Sequence, residues 1–384
     1  MRPSLLVAVL IAGPAAATGQ LVPDTVLESD SGVRYRLEVV LSGLVVPSAL
    51  DFLPDGRLLL AERPAGHLSL VSPDTGEREP VEGVPAVFGD LGADLGAGLL
   101  DVRAHPDFDS NRWIYLSWTE GDSVSSALVV SRARLQEPAR GRGARLVDLE
   151  HLFRAAPALD TADHYGGRLH FQDGHLFVTS GDHHDRRWAQ DLSSHLGKVL
   201  RLREDGTVPP DNPFARRPGA LAEIWSLGHR NPQGIARHPT TGEIWMTEHG
   251  PLGGDELNVL RRGANYGWPL ATWGREYAGP PVGDGSTHGE GIEQPVYVLE
   301  RSSAPSGLIF YAGDAFPRWR ESLLAGSMGR RHLKRLVLEE GRVLHEERLM
   351  NGLGFRVREV AQGPDGLIYV TVDEGMLIRV RPAG

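Results

Sequence analysis

The chain contains 384 residues, of which 47 are glycine, 27 are proline and none is cysteine. The lack of cysteine excludes disulfides, thiolate metal sites, iron–sulfur clusters and a cysteine nucleophile. With 50 acidic and 40 basic side chains the formal charge is −10, which argues against binding to nucleic acid or to an anionic membrane surface.

The first predicted element is an N-terminal segment typical of a secretory signal peptide. Arg2 precedes an apolar stretch at residues 5–12, and small residues follow through Ala17. The stretch is too short to span a bilayer, and no later apolar run reaches the necessary length. We therefore expect residues 1–19 to be a signal peptide and residues 20–384 to form one exported domain, periplasmic or secreted. The alternative is an uncleaved anchor.

A β-hairpin motif then recurs six times along the chain. Each copy has an apolar strand, a turn rich in Pro, Asp, Asn or Gly, and a second apolar strand. The copies occupy residues 49–63, 100–120, 167–182, 233–250, 307–327 and 359–374. Because one hairpin cannot bury its own faces, six such units predict an all-β, six-bladed β-propeller. The alternatives are a β-sandwich or two unrelated β domains.

Two polar groups precede hairpins in the middle of the chain. Asp163 and His164 stand before the third hairpin, where a histidine with a neighbouring carboxylate can serve as a general base. Arg230 and Asn231 stand before the fourth hairpin and can bind a carboxylate or a quinone oxygen. An ordinary surface turn remains the alternative for the Asp-His pair.

Two further groups follow later in the chain. After the fourth hairpin, the turn Gly250-Pro251 exposes carbonyl oxygens and Glu256 adds a carboxylate, a combination that suits calcium. Before the last hairpin, Arg356 and Arg358 share one face of a strand and favour an anion between them. An acidic turn without metal and an ordinary exposed face are the respective alternatives. We interpret His183-His184-Asp185 as a solvated loop rather than a zinc site.

Several stretches together resemble the soluble PQQ (pyrroloquinoline quinone) sugar dehydrogenases. They read DHYGGRL, LGHRNPQG, GPLGGDELN, ANYGWP and APSGLIFY, and the resemblance extends from about Leu44 to the C-terminus. It implies a six-bladed propeller that uses PQQ and calcium to oxidise an aldose at its anomeric carbon to the lactone, with hydride passing to the quinone. The implied partners are a small sugar and an electron acceptor such as a quinone, a cytochrome or a dye; the chain would be a monomer or a homodimer.

The resemblance also implies a role for individual residues. His164 would be the base, Asp163 would orient its ring, and Arg230 would lie against the quinone oxygen. Cofactor contacts would come from Arg230, Asn231, Ser302, Arg356 and Arg358. The carbonyls of Gly250 and Pro251 would hold the cofactor calcium, and Glu256 with the Tyr266 carbonyl would hold a second calcium.

Two positions depart from the family pattern. Gly96 stands where the family has a glutamine on the substrate side, and Gly329 stands where it has a cofactor-binding lysine. Arg330 or Arg331 could replace the missing cation. Two alternative functions follow: a binding propeller that has lost cofactor affinity, and a calcium-dependent hydrolase of the lactonase type.

Overall fold

The computed structural model describes residues 25–89, 96–137, 143–161, 163–299 and 303–384. The predicted signal peptide, residues 1–19, lies outside these described residues, as does Ser302. Among the helices that are described, none has the length and apolar character needed to cross a bilayer.

The described residues form six antiparallel sheets, each of which is one blade. The first two strands, β1 (Thr25–Glu28) and β2 (Arg34–Ser42), belong to the last blade. Blades 1 and 2 contain β3 (Pro47–Phe52), β4 (Leu58–Glu62), β5 (His67–Val71), β6 (Arg78–Pro80), β7 (Leu99–Ala104), β8 (Trp113–Gly121), β9 (Ser126–Gln136) and β10 (Arg145–Arg154). The short helix α1 (Phe108–Asn111) connects β7 to β8.

Blades 3 to 5 each contain four strands in chain order. They are β11 (Gly166–Gln172), β12 (His175–Ser180), β13 (Lys198–Arg203), β14 (Ile224–Leu227), β15 (Pro232–Arg237), β16 (Ile244–Glu248), β17 (Glu256–Val259), β18 (Tyr297–Val298), β19 (Pro305–Phe310), β20 (Leu323–Ser327), β21 (His332–Glu339) and β22 (Arg342–Leu349). Two 3₁₀ turns, Arg186–Gln190 and Pro317–Trp319, lie in the connections of blades 3 and 5.

Blade 6 closes the molecule by combining both ends of the described chain. Its C-terminal strands are β23 (Val357–Gln362), β24 (Ile368–Val372) and β25 (Met376–Pro382), and β2 pairs antiparallel with β25 so that Leu37 faces Val380. The sheet order is β1-β2-β25-β24-β23. The six-bladed β-propeller predicted from the repeated hairpins is therefore confirmed, and each hairpin supplies the two inner strands of one blade.

The innermost strands surround a central axis. Neighbouring strands β3, β7, β11, β15, β19 and β23 contact one another in this order, and β23 also contacts β3. The apolar core lies between adjacent blades, as in the cluster of Leu59, Leu99, Val102 and Leu116 between blades 1 and 2. Because every blade repeats the same connection, the innermost strands all begin at the same end of the axis.

A long loop connects β17 to β18. Residues 260–296 form no strand. They make isolated bridges, one within the loop between Asn265 and Ile292 and one from Arg275 to Leu252, which precedes β17. The loop brings the Tyr277 side chain to the end of the axis where the innermost strands begin.

Candidate active site

A cavity of about 250 Å³ lies at the end of the axis where the innermost strands begin. Each blade contributes to its wall at or near the first residues of its innermost strand: Ser48, Leu100, Gly166, Gln233, Ala304 and Arg358. The wall also includes Asp163, His164, Asn231 and Arg356. The fold thus brings together candidates that lie almost 200 residues apart in the sequence.

His164 is the central titratable group of this cavity. Its ring is 6% exposed, and its Nδ1 lies 2.8 Å from Oδ1 of Asp182. The other carboxylate oxygen of Asp182 accepts a hydrogen bond of 2.8 Å from the indole of Trp268. Burial, with help from the nearby Arg230 charge, lowers the pKa of His164 below 6.5 even though Asp182 works in the opposite direction. The imidazole is therefore neutral near pH 7 and can accept a proton at its second nitrogen.

Asp163 does not orient the imidazole as the resemblance implied. Its Oδ1 accepts a hydrogen bond from the backbone N–H of His164, and its Oδ2 lies 3.0 Å from Nε2 of His184. The orienting carboxylate is Asp182, which the sequence analysis did not identify. Burial opposes ionisation of Asp182, but the hydrogen bond from His164 holds the pKa of Asp182 below its usual value.

The segment that carries Asp182 is part of the site, not a solvated loop as we expected. His183 is fully buried beside the Tyr165 ring, and the His184 ring stacks on His164 with centroids 3.6 Å apart. Both histidines, like His164, have positive φ angles, between 51° and 59°. Left-handed backbone at non-glycine residues is uncommon and is often found at functional sites.

Arg356 and Arg358 point to the same side of their strand, as predicted, and both line the cavity. The anion that lies between them is a carboxylate of the protein itself, that of Asp373. Asp373 accepts hydrogen bonds of 2.8 Å from Nε of Arg356 and of 2.6 and 2.7 Å from Arg358. Although Asp373 is buried, these two arginines keep the pKa of Asp373 below its usual value. One carboxylate thus balances two guanidinium groups, and a positive charge remains for a ligand.

Asn231 and Arg230 occupy different positions relative to the cavity. The Asn231 amide lines it and accepts hydrogen bonds from the Gly166 backbone and the Gln233 side chain. The Arg230 guanidinium is turned toward the adjacent loop, where it donates a 2.7 Å hydrogen bond to the carbonyl of Gly250 and lies 5.4 Å from the Trp268 ring.

The two implied calcium sites flank a second, much smaller cavity of about 10 Å³. In the first site, the Gly250 carbonyl accepts a hydrogen bond from the cationic guanidinium of Arg230. The next residue, Pro251, is buried. In the second site, Glu256 lies directly opposite Glu248 on paired strands, and both carboxylates are buried. Burial and the Glu248 charge raise the pKa of Glu256 well above its usual value. Two buried carboxylates beside a space of atomic size suit a divalent ion.

The structure explains one of the two departures from the family pattern. A Cβ added at Gly96 would lie 2.6 Å from Oδ1 of Asp163, so a glutamine here would require the Asp163 side chain to move. At the other departure, Arg331 bonds the Gly354 carbonyl and Glu374 instead of entering the cavity. Neither Arg330 nor Arg331 lines the cavity.

Fold and site together define a propeller enzyme that can take up a proton beside a bound anionic group. The family model described as "Glucose / Sorbosone dehydrogenase" matches residues 44–379. The chain belongs to this family, and the enzyme class that the sequence predicted, a sugar dehydrogenase, is confirmed.

Individual relatives agree with this assignment. "Aldose sugar dehydrogenase YliI" of Escherichia coli (strain K12) is 41% identical over 354 residues, which cover 90% of this chain and 93% of the relative. The crystal structure of the E. coli soluble aldose sugar dehydrogenase in the apo-form superposes with a TM-score of 0.85 at 39% identity, over 91% of this chain and 99% of the other. The PQQ-bound aldose sugar dehydrogenase from Streptomyces coelicolor gives a TM-score of 0.72 at 27% identity, over 90% of this chain and 98% of the other.

Proposed function

We propose that this protein is a PQQ- and calcium-dependent dehydrogenase that oxidises an aldose at the anomeric carbon to the lactone. The observation that carries the proposal is the placement of the buried His164–Asp182 pair in the same axial cavity as Arg356 and Arg358. A base for the hydroxyl proton and a cationic wall for an acidic cofactor then lie side by side. The relative from S. coelicolor supports the cofactor assignment, since its structure holds PQQ.

The protein's own residues would carry the proton chemistry. His164 accepts the proton of the anomeric hydroxyl at Nε2, because Nδ1 is held by Asp182. The Asp182 carboxylate then stabilises the imidazolium through the same 2.8 Å contact. Arg356 and Arg358 bind carboxylate groups of the cofactor. When bound, PQQ supplies the two-electron acceptor for the oxidation, and calcium supplies a Lewis acid.

The carbonyls of Gly250 and Pro251 would hold the cofactor calcium, which would supply a Lewis acid. In the structure the Arg230 guanidinium donates a hydrogen bond to the Gly250 carbonyl. The proposed role of Arg230 is to stabilise negative charge that develops on the cofactor during the reaction. The hydrolase alternative is not favoured, because this wall is formed by guanidinium groups rather than by carboxylates that converge on an axial ion.

Reconstitution tests the proposal directly. Purified protein is incubated with calcium and PQQ, and dye reduction is followed with glucose and a series of other aldoses. We expect sugar-dependent dye reduction and cofactor binding in calorimetry. No activity with any aldose, together with no PQQ binding, would refute the proposed function.

The role of His164 is tested by His164→Ala. Loss of the general base should lower turnover by on the order of 10² to 10⁴ while PQQ binding is retained. His345→Ala, which removes an exposed imidazole from the outer strand of blade 5, is the matched control and should leave both unchanged. Loss of PQQ binding in His164→Ala would show a structural role instead.

A further inference from the structure

Arg63 is a buried cation that the proposed mechanism does not use. It directly follows β4 in blade 1, is 9% exposed and lines the axial cavity. Among the described residues, its guanidinium has no hydrogen-bond partner and no ion pair, and its Nε is buried without a partner. Other buried arginines are paired: Arg168 with Glu359, and Arg358 with Asp373. A buried charge without a partner is costly, so its presence calls for an explanation.

The carboxylates near Arg63 are already committed to other groups. Asp373 uses both oxygens for Arg356 and Arg358, and Asp163 uses its oxygens for the His164 backbone and His184. Burial and the neighbouring Arg358 charge lower the pKa of Arg63 to about 9, which still leaves the guanidinium charged at pH 7. This part of the cavity therefore has a guanidinium group without an anion.

The backbone holds Arg63 firmly in this position. Its N–H donates to the Val46 carbonyl at 3.1 Å, and its own carbonyl accepts from the Leu99 N–H at 2.8 Å. Gly98 packs directly against it, since a Cβ there would lie 2.0 Å from the Arg63 carbonyl and 2.9 Å from Cγ. The backbone and the first part of the side chain are therefore positioned before a ligand binds, which favours affinity.

We propose that Arg63 binds a carboxylate group of the cofactor from the blade 1 side of the cavity, whereas Gly329 follows an inner strand of blade 5. This inference rests on the proposed function, because it takes the ligand to be an organic polycarboxylate. It also replaces the expectation from the sequence that Arg330 or Arg331 supplies the additional cation. Arg63 is then a further cofactor-binding arginine, in addition to Arg356 and Arg358.

The test compares Arg63→Met and Arg63→Lys with the wild type, and Arg331→Met serves as the matched control. Calorimetry measures binding of two probes: PQQ, with calcium present, and benzene-1,3,5-tricarboxylate, a flat tricarboxylate that is not a quinone. Loss of a charged hydrogen bond should weaken binding of both probes about ten- to hundredfold in Arg63→Met. Arg63→Lys should lose less, and Arg331→Met should bind like the wild type.

Thermal unfolding without ligand separates a ligand-binding role from a structural one. Methionine keeps the apolar length of the side chain and removes an unpaired buried charge, so Arg63→Met should melt at the same temperature as the wild type or higher. A clearly lower Tm, or unchanged binding of both probes, would overturn the inference. Wild-type protein that binds neither probe would overturn it as well.

The two proposals can fail separately. If the wild type binds benzene-1,3,5-tricarboxylate but not PQQ, and Arg63→Met loses that binding, Arg63 is an anion-binding residue and the proposed function is wrong. If the wild type binds PQQ and oxidises sugars while Arg63→Met binds both probes normally, the proposed function stands and the role of Arg63 is refuted.

Discussion

At the residue scale, acidic side chains at or just after the end of the second strand of a blade contact residues at or just before the start of its first strand. Asp182 contacts His164 in blade 3, Glu248 accepts from the Arg230 backbone N–H in blade 4, and Asp373 contacts Arg358 in blade 6. The two ends meet because the strands of a hairpin are antiparallel. The position of Asp182 just after the second strand of its hairpin was a signal in the sequence that we did not use.

Asp182→Asn tests the orienting role. The amide cannot stabilise the imidazolium, so turnover should fall by roughly 10² to 10⁴. Because the neutral base is the active form and Asp182 raises the pKa of His164, its removal should also shift the acidic limb of the kcat/KM profile to lower pH. In the wild type this limb should lie below pH 6.5. Steady-state kinetics across pH give the measurement.

Asp205→Asn is the matched control, since Asp205 is a turn residue that bonds Thr207 away from the cavity. It should leave the pH profile unchanged. A profile for Asp182→Asn that coincides with the wild type would contradict the assigned role.

Calcium binding at Glu256 gives a prediction on stability. An ion between Glu256 and Glu248 binds the folded protein alone, so calcium at 100 times its Kd should stabilise it by about 2.7 kcal/mol. Glu256→Gln should remove most of the rise in Tm on calcium addition, whereas Glu243→Gln, at an exposed ion pair with Arg261, should retain it. Differential scanning calorimetry with and without EDTA makes the comparison; an equal calcium response in both variants would exclude this site.

At the element scale, the connection between β12 and β13 is the part of blade 3 that forms the site. It carries Asp182 and His184 and includes the 3₁₀ turn Arg186–Gln190. The Lys198 ammonium, fully buried, donates to the carbonyls of Trp188, Ala189 and Leu196. One side chain thus ties the second half of the turn to the segment before β13, and this helps to fix the connection that carries Asp182.

Lys198→Met should therefore reduce stability and activity together. It leaves buried carbonyls without partners, at a cost of about 1–3 kcal/mol each, and it loosens the segment that positions Asp182. Lys334→Met is the control, because Lys334 is equally buried but bonds Glu346 in blade 5, away from the cavity. It should lower Tm without a comparable loss of kcat. Equal losses of kcat in the two variants would contradict the positioning role of Lys198.

At the scale of the whole molecule, the ring depends on blade 6, which joins strands from both ends of the described chain. β2 pairs with β25, and the fully buried Leu37 packs in the cluster that contains Trp319, Val360 and Val380. Without this pairing the edge of β25 would be open, and the six innermost strands would not be held in a closed ring.

Leu37→Ala should destabilise the whole propeller by about 2–5 kcal/mol, the range for truncation of a buried leucine. Leu344→Ala, which truncates a 60% exposed leucine on β22, should stay within about 0.5 kcal/mol of the wild type. Urea unfolding monitored by tryptophan fluorescence measures both. A change of similar size in the two variants would mean that blade closure contributes little.

The sequence by itself determined the strands and the number of blades, because turn residues and alternating apolar residues act locally and recur in every hairpin. Through the family resemblance it also identified His164, Arg356 and Arg358 as residues of one site, and the structure places all three around one cavity. The strands and the number of blades depend on neighbours within a few residues, and the structure confirms both.

Only the tertiary structure decided which groups pair. Asp182 rather than Asp163 holds the His164 ring, Arg230 faces the Gly250 carbonyl, and Arg63 is left without an anion. A residue's partner depends on the distances that the closed ring imposes between side chains from different strands and blades. Burial, which makes an unpaired charge costly and lowers the pKa of the base, is likewise a property of the assembled ring and not of any single segment.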